Sequence, residues 1–184
     1  METWAWTQLK YIAIDLQNDF IDGVFGTNEA KAIVAPCIEF LASLNRDDLV
    51  IFTQDTHRKD EETLEKTLLP AHCLISSNGW EINQEIFDAK KGKKEIQLKP
   101  TFGSSELVDV LKNKFKENNL KEEEVEFILF GLCTDICVIS NALMLRSNFL
   151  NTKISVIESL SAGTSKMNHD AALKVLRANL IDII

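Results

Sequence analysis

Cys137 heads the residues able to do chemistry. It lies in the stretch ILFGLCTDICVIS, Ile128 to Ser140, where an apolar run ends at Gly131 and Cys137 opens a second apolar run. The order reads as a strand, a tight turn and the first turn of a helix. With Thr134 or Asp135 as cap, the thiol falls in that first turn, where unpaired backbone N–H groups and the helix dipole favour a thiolate. An acyl-transfer nucleophile also needs a proton acceptor and donors for an oxyanion. Asp15 can take the proton, and Lys99 can orient that carboxylate and stabilise negative charge. Backbone N–H groups around Cys133 and Cys137 can cradle the oxyanion. No histidine lies beside either cysteine, so the arrangement is Cys-Asp-Lys rather than Cys-His.

A second group is Asp55-Thr56-His57 followed by His72. In an extended chain residues i and i+2 face the same way, so Asp55 and His57 can share one metal ion. His72 supplies a third ligand and Glu65 a fourth, and open positions filled by water suit a catalytic divalent cation. The plain alternative is a solvated polar loop. Each catalytic candidate has such an alternative too: an Asp after a strand is commonly a turn residue, and a lysine is commonly solvated. Cys37 and Cys73 read as inert buried thiols.

These residues need a frame that brings strand ends together. KYIAIDLQ reads as a buried strand ending near Asp15, and DLVIFTQD as another ending at Asp55. KEIQL is strand-like and stops before Lys99-Pro100. KAIVAPCIEFLASLNRDD reads as a helix with Pro36 near its first turn or at a kink, and EINQEIF as a short helix. SSELVDVLKNKFKEN is amphipathic, with Ser104 or Ser105 as cap. VEFILFG is a strand and a helix starts near Asp135. KISVIES is a further strand, SKMNHDAALKVLRANL the last helix and IDII a final strand. Strands alternating with helices predict a three-layer α/β/α sandwich with a mostly parallel central sheet. Ligands then bind beyond the C-terminal ends of the strands, where Asp15, Asp55, Lys99 and Cys137 all fall.

Composition bounds the rest. The 184 residues suit one domain, 1–184, with no linker or repeat, and 45% are apolar. With 20 basic and 28 acidic residues the net charge is −8, which disfavours nucleic acid and anionic membranes as partners. No apolar run approaches a bilayer span, and METWAWTQLK has no leader pattern, so a cytoplasmic protein is expected, its cysteines free thiols. Trp4, Trp6 and Trp80 receive no role, and His169 reads as an ordinary helix residue.

The segments AIDLQNDF, TQDTH, LLPAHCL, LKPTFGSS and GLCTDICV occur in the order found in the isochorismatase-like cysteine hydrolase superfamily. Because of its Asp-x-His and later Pro-x-His, the chain resembles the nicotinamidases, which also hydrolyse pyrazinamide. The resemblance runs from about Tyr11 to the final helix. It implies hydrolysis of a small amide, nicotinamide, through a thioester. Asp15, Lys99 and Cys137 would be catalytic, Cys133 would lend its N–H to the oxyanion hole after a cis peptide at Leu132–Cys133, and Thr134 and Asp135 would shape the turn and cap the helix. Asp55, His57, His72 and Glu65 would hold one divalent ion, zinc before iron or manganese, and Phe20 would form an aromatic pocket wall. It also implies a homo-oligomer and a place in NAD salvage. Leu69 departs from the pattern, since many members carry an aromatic residue there, and it keeps open another small amide or an N-carbamoyl compound. A catalytically silent member of the fold is the reading from another class.

Overall fold

Apolar side chains alternate along the central strands because both faces of the sheet are covered. Tyr11, Ala13, Val50, Phe52, Ile128 and Phe130 point to one face, while Ile12, Ile14, Ile51, Phe127 and Leu129 point to the other. The structure is a computed structural model that describes residues 8–184. Trp4, Trp6 and the first seven residues of the stretch read as lacking a leader lie outside those residues.

Six strands form one sheet in the order β3-β2-β1-β4-β5-β6, every pairing parallel. They are β1 (Gln8–Ile14), β2 (Val50–Asp55), β3 (Lys94–Lys99), β4 (Val125–Leu132), β5 (Lys153–Ala162) and β6 (Asp182–Ile183). One face is covered by α1 (Asn18–Ile21), α2 (Asn28–Ala32), α3 (Val34–Ser43) and, after a short α4 (Leu64–Leu68), by α5 (Gln84–Ala89). The other is covered by α6 (Ser105–Glu117), α7 (Ile139–Asn148) and α8 (Lys166–Ala178). Parallel sheets need this double cover, and it completes the three layers expected. Among the described residues no helix is long and apolar enough to cross a membrane.

Local expectations differ from the structure in places. The long helix read from Lys31 is broken at Ile33, so Pro36 lies in the first turn of α3, where its missing N–H costs nothing, and α3 ends at Ser43. Ser104 is the cap of α6, accepting from Leu107 N at 3.0 Å. β5 runs on to Ala162, beyond KISVIES.

The sheet order places the site. The chain leaves β1 toward β2 on one side and reaches β4 on the other, so a crevice opens where the winding direction changes. Gly131 at the end of β4 has φ +127°, and a Cβ there would strike the carbonyl oxygen of Ile14. Only glycine lets β4 and β1 close up at this level.

Candidate active site

Register assembles the first group. Asp55 and Lys99 are direct partners across β2 and β3, and Asp15 follows the last residue of β1 with a left-handed backbone, φ +46°. Lys99 Nζ reaches three groups. It lies 2.7 Å from Asp15 Oδ2, 3.1 Å from Asp55 Oδ1 and 3.6 Å from Cys137 Sγ, and it also donates to Thr101 O at 3.0 Å. Lys99 and Asp15 are both 0% exposed, so their attraction acts with little screening.

The electrostatics follow from burial against charge. Burial pushes the Cys137 thiol well above its ordinary value, and Lys99 offsets only part of that. The sequence reading of a dipole-favoured thiolate is corrected here: the resting group is a thiol within hydrogen-bonding reach of Asp15. Burial raises the Asp15 carboxyl as well, with Lys99 opposing. Burial works against the Lys99 charge, but Asp15, Cys137 and Asp55 outweigh it and keep the ammonium. A buried carboxylate of raised proton affinity beside a thiol is suited to taking and returning one proton.

The turn carrying Cys137 departs from expectation in its capping. The peptide Leu132–Cys133 is cis, and Thr134–Val138 winds as a π-turn before α7. Ile136 N and Val138 N both donate to Cys133 O at 3.1 Å. Neither Thr134 nor Asp135 caps this helix. Asp135 instead accepts from Thr164 N at 2.8 Å and from Thr164 Oγ1 at 2.5 Å, and Thr134 Oγ1 bonds His169 Nδ1 at 2.9 Å. Asp135 thus ties the turn to the β5–α8 loop and Thr134 ties it to α8 itself, where His169 acts as a tether.

Asp55, His57, Glu65 and His72 form one cluster, their ligand atoms within 4.8 Å of one another. Asp55 Oδ2 is 3.1 Å from His57 Nε2 and 3.3 Å from His72 Nε2. Glu65 Oε1 is 3.5 Å from His72 Nε2 and 3.7 Å from His57 Nε2, and it is buried without a hydrogen-bond partner. Ligands about 2.0–2.1 Å from a tetrahedral ion stand about 3.3 Å apart, so the four atoms fit a divalent cation. The N₂O₂ donor set suits zinc, iron or manganese. His57 Nδ1 bonds Glu61 Oε1 at 2.6 Å and His72 Nδ1 bonds Pro70 O at 2.8 Å, which turns both Nε2 atoms toward the cluster. Within the cluster the bond to Asp55 raises His57 to about 9, and Asp55 is held far below the usual carboxylate range, against burial, by His57, His72 and Lys99.

Both groups open into one cavity of about 380 Å³. Cys137, Cys133, Asp55, Glu65 and His72 line its polar side, and Phe20 and Leu69 lie in its walls as expected. Sequence reasoning missed Phe25 and Phe102, which also line it. Phe25 stacks with Phe20 at 6.0 Å and meets the His72 ring edge-on at 4.8 Å. An aliphatic Leu69 therefore does not leave the cavity short of aromatic surface.

Other residues overlooked in the sequence hold the ligands in place. Gln17 accepts from Asp55 N at 2.7 Å and donates to Asp55 O at 2.8 Å. Asp19 Oδ2 accepts from Cys73 N at 2.7 Å, beside His72. Trp80 also has a place, its carbonyl accepting from Gln17 and Gln54 and its indole N–H donating to Thr56 Oγ1 at 3.0 Å. For Glu61 a signal was present: a carboxylate four residues after a metal-ligand histidine.

Residues 11–184 match the family described as Isochorismatase domain. No curated protein sequence matches the chain. Among solved structures, the chain is similar to a pyrazinamidase/nicotinamidase from Streptococcus mutans UA159, with 26% identity, TM-score 0.80, and coverage of 96% of this chain and 99% of that one. It is also similar to a pyrazinamidase of Pyrococcus horikoshii in complex with zinc, at 18% identity and TM-score 0.75 over 96% of this chain and 98% of that one. An N-carbamoylsarcosine amidase from Thermoplasma acidophilum shares the fold at 20% identity and TM-score 0.75, covering 96% and 95% of the two chains.

Proposed function

The chain belongs to the isochorismatase family of hydrolases, and from that premise we propose that it hydrolyses nicotinamide, and the related pyrazinamide, to the carboxylic acid and ammonia. One observation carries the reading. Lys99 Nζ joins the carboxylate beside the thiol to a carboxylate of the metal cluster, so nucleophile and cation site face one aromatic-walled cavity a single side chain apart. A flat heteroaromatic carboxamide has a group for each: a carbonyl carbon for sulfur and a ring nitrogen for the cation. The Streptococcus and Pyrococcus proteins, by their names, act on such compounds.

Asp55, His57, Glu65 and His72 would hold the ion, which when bound supplies a Lewis-acid anchor for a ring nitrogen or a water molecule. The chain's own residues carry the covalent steps. Cys137 Sγ bonds to the carboxamide carbon as its proton passes to Asp15. The developing oxyanion is met by N–H groups of the Cys133–Cys137 turn, the C–N bond breaks, and the Asp15 proton leaves with the nitrogen as ammonia. Water then adds to the thioester carbon, giving a proton to Asp15. The C–S bond breaks, the acid is released, and that proton returns to sulfur. Lys99 stays charged throughout, keeping Asp15 oriented.

The N-carbamoylsarcosine amidase that shares the fold supports a second reading, a non-aromatic substrate such as an N-carbamoyl compound, on the same Cys-Asp-Lys group. Ammonia release from nicotinamide, pyrazinamide, aliphatic amides and N-carbamoyl amino acids separates the two. A preference of kcat/KM for the heteroaromatic amides supports the first reading, and a preference for N-carbamoyl compounds replaces it with the second.

A further inference from the structure

Thr53 stands behind Asp15, on the neighbouring strand β2. It is fully buried on β2, and its hydroxyl makes two bonds to the same residue: Oγ1 donates to Asp15 Oδ1 at 2.6 Å and accepts from Asp15 N at 3.1 Å. The single hydroxyl proton is therefore committed to Oδ1. Asp15 Oδ2 is not held by Thr53; it lies 2.7 Å from Lys99 Nζ as its ion-paired partner. The two carboxylate oxygens are thus inequivalent.

We propose that Thr53 is a positioning residue that fixes the Asp15 carboxylate so that Oδ2, and not Oδ1, exchanges the proton with Cys137. The terminal torsion of an aspartate is broad and nearly two-fold, so packing alone does not choose between its oxygens. A short bond to one oxygen, on a rigid central strand, does choose. The left-handed backbone of Asp15 adds to the need, because the second bond, to Asp15 N, holds the main chain from which the carboxylate projects. A threonine in a buried strand is ordinarily explained by β propensity. That explanation needs no hydroxyl, and valine would satisfy it equally.

The inference rests on the amidase reading for its kinetics but not for its chemistry, so two readouts are taken on metal-loaded protein. Thr53→Val keeps shape and strand preference while removing the hydroxyl, and Thr53→Ser restores it; Thr53→Ala replaces the valine variant should that one not fold. For nicotinamide, the valine variant is expected to lose about 10- to 100-fold in kcat with KM within about twofold, and the serine variant to recover most of the loss. Alkylation of Cys137 by iodoacetamide, followed by peptide mass, should slow in parallel in the valine variant and recover in the serine variant. Bound metal per chain should stay the same in all three. Unchanged kcat and unchanged alkylation in Thr53→Val overturn the proposal, as does a serine variant no better than valine. Should the wild type release no ammonia from any amide, the proposed function fails while the alkylation arm still decides the role of Thr53.

Discussion

At the scale of single residues, loss of the sulfur should abolish turnover and loss of a tether should cost a graded amount. Cys137→Ala removes the thiol that meets Lys99 and Asp15, and kcat should fall by on the order of 10⁴ or more, measured as ammonia release. Activity near that of the wild type would remove Cys137 from the chemistry. Glu61 touches no substrate, and its carboxylate orients His57 through Nδ1. Glu61→Gln should weaken metal binding by about 10- to 100-fold, read by competition with a chelator, since losses of that size follow when the partner of a ligating imidazole is removed. Asp15, Asp55 and Lys99 were legible as candidates because distinctive side chains fall at strand ends, Cys137 because it follows a strand and a tight turn, and His57 and His72 because of their spacing after Asp55. Thr53 and Gln17 were not, because a threonine in a strand or a glutamine just after one reads the same whether or not it holds a functional group, and Glu61 was missed although its spacing from His57 carried a signal.

At the scale of elements, position is set by the β1–β4 contact and by the tie between α7 and the loop after β3. Gly131→Ala would place a methyl against the Ile14 carbonyl at a φ that L residues avoid. A loss of more than about 2 kcal/mol in denaturant unfolding is expected, together with reduced activity, because Asp15 is the next residue after Ile14. Asn141 on α7 donates to Phe102 O at 3.0 Å and to Cys137 O at 2.8 Å, while its side-chain oxygen accepts from Ser104 N at 3.0 Å. It fastens the loop that follows Lys99 to the Cys137-bearing turn. Asn141→Ala leaves buried partners unsatisfied, and a loss of about 1–3 kcal/mol is expected in the same measurement. The strands and the amphipathic helices α6 and α8 were readable from periodicity. The break at Ile33 and the short α4 were not: a one-residue break leaves the apolar pattern nearly continuous, and five polar-rich residues carry no period to detect. The capping expectation for Thr134 and Asp135 failed because their partners, Thr164 and His169, are distant in sequence.

At the scale of the whole molecule, four buried free thiols in the fold shape its response to pH. Burial pushes Cys37 and Cys133 up to about 12, from an ordinary value of 9.0. Above that ordinary value the unfolded chain loses these protons while the folded chain keeps them, so the folded state binds more protons and stability falls as pH rises. The contribution is intact below about pH 9 and is lost toward pH 12, at up to about 1.4 kcal/mol per pH unit for each thiol. Urea unfolding at pH 8, 9 and 10 should show this decline, and Cys37→Ala should make it shallower. An unchanged slope in that variant would contradict the assignment. The parallel topology and a site beyond the C-terminal strand ends followed from the alternation of elements, whereas the strand order and the cavity walls did not, because Phe25 and Phe102 reach the cavity from loops of no regular pattern.

The central claim is that the thiol group and the cation cluster serve one cavity, and ammonia release from nicotinamide tests it most directly. The purified protein is assayed as isolated, after chelation, and after zinc, iron or manganese is restored. The account predicts turnover that disappears on stripping and returns with a divalent ion, and that is absent from Cys137→Ala in every state. Turnover indifferent to the metal would separate the cluster from the chemistry, and no turnover in any state would contradict nicotinamide as substrate.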